Sequence, residues 1–167
     1  MKRDREQKRT ILGEHLPDFP GYRAIDQGET DLQLRRYLAG EMEKVRDRLA
    51  AFIAGGELGD CRQAFAEALR KVAALKEKFI PPARAVAETQ ELPAEDEERL
   101  LDLDIALLDK VAALHTPIDR MESAAAATEL RSALEQFCEG LAEASHLFRQ
   151  RGEILRGNSA GEEKGAD

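Results

Sequence analysis

Few residues in this chain combine the type and spacing that chemistry requires. Glu143-Ala-Ser-His146 has the Glu-x-x-His spacing with which helical bundles hold di-iron sites. Set against the apolar direction of its own helix, defined by Leu130 and Phe148, the pair points to roughly the opposite side. The chain has no second Glu-x-x-His to complete such a site, so Glu143 and His146 read as solvated helix residues. The three histidines (His15, His115, His146) and two cysteines (Cys61, Cys138) stand at no metal-ligand spacing from one another. Neither a metal nor any other cofactor is expected. Cys61 continues an apolar stripe and reads as a small buried hydrophobe. Gly55-Gly-Glu-Leu-Gly59 is glycine-rich, but it follows a helical pattern and carries no lysine. It reads as a helix stop and turn rather than a phosphate loop.

Asp104 is the exception. On a helical count it lies about 40° from the centre of a stripe that contains Leu100, Leu107 and Val111. A carboxylate there must be paired, hydrogen-bonded or at the stripe edge. Tyr22, Arg23 and His115 are the candidate companions of a polar pocket around it, and Arg35, Arg36 or Arg84 could serve equally as donor. The competing reading is a structural ion pair or a boundary residue.

The elements that must position these residues follow from apolar periodicity. Residues 1–10 read as a mobile charged arm. Residues 11–28 hold Pro17, Pro20, Gly13, Gly21 and Gly28, which argues against a long helix. Leu16, Phe19, Tyr22 and Ile25 are too apolar for a free linker, so the segment is expected to lie extended across a bundle. A first long helix starts at Thr30, whose hydroxyl and Gln33 can form a capping box. Leu38, Met42, Val45, Leu49 and Phe52 form its stripe. A second runs from near Asp60 through Cys61, Phe65, Ala68, Val72, Leu75 and Phe79 to Pro81-Pro82. Residues 83–92 are open, with a short helix as one reading.

A third helix opens at Pro93, and its acidic first turn, Glu95 to Glu98, complements the helix dipole without needing a partner. Its stripe is Leu100, Leu103, Leu107, Val111, Leu114, Ile118 and Met121. Pro117 either kinks it or ends it, with Thr116 as the next cap. The stripe from Leu130 to Phe148 is displaced by roughly 120° on the same count, which places the chain reversal between about Ser123 and Thr128. A fourth helix then runs to Arg151, and residues 157–167 read as a disordered tail. The fold class expected is all-α: an antiparallel four-helix up-down-up-down bundle over residues 11–156, with the N-terminal segment packed on it.

Composition narrows the function classes. The 167 residues suit one domain and carry a net charge of −8. Residues 1–83 hold 16 basic and 14 acidic side chains, whereas residues 84–167 hold 9 and 19. The acidic half repels phosphate backbones, so no nucleic-acid partner is expected. The longest apolar run, Leu49 to Ala54, is far too short for membrane insertion. The N-terminal MKRDREQKR lacks the apolar stretch of a secretory signal, and two distant cysteines suit reduced thiols, so a cytoplasmic location is expected.

Two stretches carry a likeness. Leu16-Pro-Asp-Phe-Pro-Gly-Tyr-Arg23 leads into a helix with Leu34-Arg-Arg, Leu38 and Arg46 to Leu49. The other is Leu100-Leu-Asp-Leu-Asp-Ile-Ala-Leu-Leu-Asp109. Over about half the chain this resembles a group of small, uncharacterised bacterial helical proteins with a Pro-Gly-Tyr approach and an Asp-Leu-Ala-Leu-Leu helix. The resemblance implies a helical bacterial protein and imports no activity. Members often carry aromatic and glycine residues between the second and third helices, where this chain has Pro81-Pro-Ala-Arg-Ala-Val-Ala-Glu88. The expectation for function is a non-enzymatic helical interaction or scaffold protein, with regulation as one use, binding a protein partner as monomer or homodimer. The alternative is a ligand-binding or catalytic bundle with its polar pocket at Asp104.

Overall fold

The computed structural model describes residues 4–23, 26–81 and 91–157. Six α-helices and no strand occur among them: α1 (Arg5–His15), α2 (Gln27–Gly55), α3 (Arg62–Phe79), α4 (Ala94–Ala113), α5 (His115–Ser123) and α6 (Ala127–Leu155). A 3-10 turn, Gly59–Cys61, leads into α3. The all-α class is as expected, but the helix count is six rather than four. None of the helices is long and apolar enough, within the described residues, to cross a membrane.

The first departure is α1. The side chain of Asp4 accepts a hydrogen bond from the Gln7 backbone N–H, capping a helix where a mobile arm was expected. Sequence periodicity gave little warning, because α1 buries only Lys8 and Leu12. It docks on the acidic start of α4 by charge. Lys8 Nζ lies 2.8 Å from Asp102 and 3.2 Å from Glu98, and Arg9 Nη2 lies 2.7 Å from Glu97. Those acids therefore answer cations of α1 as well as the dipole of their own helix. Residues 16–23 supply the irregular segment expected there. Residues 11–15 belong to α1 and Gly28 to α2, so the extended stretch is shorter than 11–28. Ile25 lies outside the described residues.

Thr30 does not cap α2. The helix begins at Gln27, and the buried Thr30 hydroxyl donates instead to the Gly21 carbonyl at 2.6 Å, tying the loop to the helix. α2 and α3 run in opposite directions: Arg35 reaches the Lys78 carbonyl at 3.0 Å, while Phe52 meets Phe65 at the other end. α4 and α6 are also antiparallel. Asp104 meets Arg151 at one level, and Leu114 meets Gly140 at another, where a Cβ on Gly140 would stand 2.9 Å from Leu114. The helix break falls at Leu114, ahead of Pro117. In a helix begun at His115, Pro117 sits in the first turn, where its missing N–H has no intrahelical acceptor to lose. Leu114 keeps helical dihedrals, so the chain kinks rather than reverses, and Thr116 is no cap. The reversal comes at Ala124–Ala126, within the expected window.

One apolar core unites these elements. Leu49, Val72, Leu107 and Phe137 are fully buried in it, as are Leu12, Leu34, Phe65 and Phe79. α4 buries a wider face than its stripe suggested, including Leu101, Ile105 and Leu108, because it packs against α1, α2 and α6 together. That setting puts Asp104 at the centre of the packing rather than at an edge.

Candidate functional site

The loop from Leu16 to Arg23 delivers Tyr22 to Asp104. Pro20 precedes Gly21, whose φ of +81° is a conformation that favours glycine. A Cβ at Gly21 would also close to 3.3 Å from the Arg9 guanidinium. The turn thus needs its glycine both for backbone and for space, and the next residue, Tyr22, points into the core.

Inside the core Tyr22, Asp104 and Arg151 close on one another. The Tyr22 hydroxyl donates to Asp104 Oδ2. Arg151 donates from Nε to Asp104 Oδ1 at 2.7 Å and from Nη2 to the Tyr22 hydroxyl oxygen at 2.9 Å. Its remaining nitrogen, Nη1, donates to Asp31 Oδ1, and Asp31 Oδ2 accepts from Arg35 Nε at 2.9 Å. Asp104 and Arg151 are wholly enclosed. Each ion here has a counter-ion, and every nitrogen of the Arg151 guanidinium has an acceptor. That is the condition under which buried charge is tolerated.

The electrostatics follow from the enclosure. Burial pushes the Asp104 carboxyl above its usual range, and Arg151 and the Tyr22 hydroxyl restrain the rise. Burial raises the Tyr22 phenol well above the usual tyrosine value, against the pull of Arg151. Burial alone would weaken the basicity of Arg151, but Tyr22, Asp104 and Asp31 reverse this and raise it further. At neutral pH the cluster therefore holds a neutral phenol and a fixed cation.

Of the four residues expected at a pocket, the structure joins only Tyr22 and Asp104. Arg23 is exposed and pairs with Asp26 at 3.2 Å. His115 sits at the α4–α5 break, where its Nδ1 accepts from Arg48 Nη1 at 3.3 Å. Arg48 also pairs with Asp119 and Glu122, so His115 belongs to a separate surface cluster. Arg36 is exposed, and Arg84 lies outside the described residues. Glu143 and His146 are exposed on α6, where Glu143 pairs with Lys110 and His146 meets Arg149. No group of three or more His, Cys, Asp and Glu converges as metal ligands among the described residues.

Arg151 is the residue that reasoning from sequence missed. A signal existed: Phe137, Leu141, Ala144, Phe148 and Arg151 recur at steps of four and three. Taking Arg151 as the end of the helix hid its place on the buried stripe. Asp31 gave no comparable signal. Neither the cleft beside Gly56 and Leu130, nor that beside Arg35 and Phe148, nor that beside Arg120 and Gln136 is lined by Tyr22, Asp104 or Arg151. Neither protein-family models, nor curated proteins, nor solved structures give a match to this chain.

Proposed function

We propose that this chain is a non-enzymatic helical interaction protein that recognises a protein partner through polar, charged surface. One observation carries the reading. The single cluster whose residue types suggested chemistry is sealed in the core with its ions matched, so it presents nothing to a substrate. Its geometry suits a clasp that joins the N-terminal loop, α2, α4 and α6. Against the alternative of a catalytic pocket at Asp104 counts the position of Tyr22 and Arg151, which sit directly on the carboxylate.

The frame proposed for this role is an up-down-up-down arrangement of four rods: α2, α3, α4 continued by α5, and α6, with α1 docked outside. Its described surface exposes one large apolar side chain, Ile80 at 45%. Contact with a partner would then rest on charge and hydrogen bonding rather than on an apolar patch, and would weaken steeply with salt.

The test compares wild type with Tyr22→Phe, which removes the phenolic hydroxyl and leaves the surface unchanged. Both proteins, confirmed folded by circular dichroism, are used for crosslinking in native extract at low and high ionic strength. The same partners, captured at low salt and lost at high salt by both, support the proposal. A folded Tyr22→Phe protein that has lost a small-molecule turnover shown by wild type would overturn it.

A further inference from the structure

The far side of the Asp31–Arg35 pair opens onto a cleft of about 500 Å³ between α2, the last turn of α3 and the final turns of α6. Arg35, Lys78, Arg149 and Arg156 line it, and no carboxylate does. The chain as a whole carries −8, and most described Lys and Arg side chains are matched to an acid. Lys78, Arg149 and Arg156 have no carboxylate partner among the described residues. Arg35 does, in Asp31, so it adds position rather than net charge.

Part of this has a simple cause. α3 and α6 both end here, and cations near a helix C-terminus offset about half a negative charge each. Two helix ends amount to about one dispersed negative charge, which three unmatched cations exceed. The side chains are also arranged. Arg35 is held over the Phe148 ring at 4.8 Å while it donates to Asp31 and to the Lys78 carbonyl, and Nη2 remains as its unused donor. Arg156 folds its guanidinium back over Gly152, where a Cβ would stand 3.3 Å from Nη1. Glycine within a helix costs about 0.5–1 kcal/mol relative to alanine, and here it makes room for that guanidinium beside the cleft.

We infer that this cleft binds a small phosphate-bearing anion. The Arg156 fork, the Arg149 donors other than the Nη2 that meets His146, and the Lys78 ammonium, which also reaches Ser145 at 3.4 Å, would hold the phosphoryl oxygens, with the Arg35–Phe148 stack as inner wall. A phosphoryl group carries about −1.5 to −2 at neutral pH and matches three cations better than one carboxylate does. The volume is that of a small-molecule site. The 19 acidic against 9 basic residues between positions 84 and 167 disfavour a long polyanion such as nucleic acid. The inference stands apart from the partner reading above, and its test does not depend on any partner.

Inorganic pyrophosphate is the probe, titrated into the full chain by isothermal titration calorimetry at constant ionic strength. Saturable binding at one site is expected. Arg149→Glu/Arg156→Glu should weaken it by at least about tenfold, as loss of charge-assisted contacts implies. Arg131→Glu, which removes an exposed, unmatched cation near the start of α6, should leave it unchanged. Both variants alter exposed side chains, and circular dichroism checks their folding. Absence of saturable binding would overturn the inference. So would equal weakening by Arg131→Glu, which would mean diffuse charge attraction. A phosphoserine peptide that binds this cleft where pyrophosphate does not would overturn the small-molecule assignment.

Discussion

Replacing Arg151 with methionine keeps a long apolar stem at the centre of the core and removes the cation that Asp104 faces. Asp104 is wholly buried, and its other hydrogen-bond partner in the cluster is the Tyr22 hydroxyl. The carboxyl then has two choices in the folded state: remain charged and unpaired, or take up a proton. The second caps the penalty. For a carboxyl of ordinary pKa 3.8, protonation at about pH 7 costs about 4 kcal/mol, at about 1.4 kcal/mol per unit. The expected loss is therefore about 3–4 kcal/mol, which agrees with the usual cost of breaking a buried pair. At about pH 5 the same protonation costs under about 2 kcal/mol, so the loss should shrink with acidity. The sign is that of a raised folded-state pKa: the folded protein binds the proton better, and stability is lost as pH rises through the window above 3.8. Burial gives the intact cluster the same sign, held in check by Arg151 and Tyr22.

Asp104→Ala should cost less than Arg151→Met at neutral pH, because Arg151 keeps Asp31. Replacing the cluster together, as Tyr22→Phe/Asp104→Leu/Arg151→Met, should recover much of the loss, since no ion is then stranded in the core. Urea unfolding followed by circular dichroism at several pH values measures all of these. An Arg151→Met protein within about 0.5 kcal/mol of wild type, or one whose loss does not change between about pH 7 and 5, would refute the reasoning.

The two tyrosines give an independent check, since the chain lacks tryptophan. Burial raises both phenols, Tyr22 much more than Tyr37, so near-ultraviolet tyrosinate absorbance should show Tyr37 ionising first and Tyr22 only with unfolding. Because the folded-state value is the raised one, the contribution of Tyr22 to stability is present below 10.0 and lost as pH climbs above it. Leu12→Ala, which cuts into the small apolar footing of α1, should cost about 2–5 kcal/mol and increase proteolysis in the Arg5–Leu16 region; unchanged cleavage would mean that this leucine adds nothing to the ion pairs in holding α1. Leu49→Ala, Val72→Ala, Leu107→Ala and Phe137→Ala should each fall in the same range of about 2–5 kcal/mol in urea unfolding, and values near zero for two of them would argue against a shared core.

What periodicity could reveal, it revealed, and its failures have physical causes. The stripes of α2, α3 and α6 were legible because each turns one apolar face to one core. α1 was not, because it docks by ion pairs with a single leucine fully buried. A helix stabilised through charges on its neighbour leaves no 3.6-residue apolar signal. The same omission narrowed the reading of α4. Without α1 in place, α4 lacks one of the three helices it packs against, and Asp104 stands about 40° off centre by helical geometry. With α1 docked, the buried face of α4 spans both sides of Asp104.

Two further readings were confused by side chains that had alternative uses. Thr30 stands at a good capping position, yet its hydroxyl serves the loop, because the turn at Gly21 brings its carbonyl within 2.6 Å. Arg151 closed a stripe whose other members are apolar. Arginine is almost never fully buried unless it is paired, and a stripe closed at Phe148 leaves out both Arg151 and the buried Ile154 beyond it. The carboxylate that pairs it lies 47 residues away on another helix. Each half of the pair was anomalous alone: an acid on an apolar stripe of α4, a base on an apolar stripe of α6. Read together, the two anomalies predict each other. Antiparallel packing of α4 and α6 brings them to the same level, and the Tyr22 hydroxyl completes the set from a loop whose turn at Gly21 favours glycine.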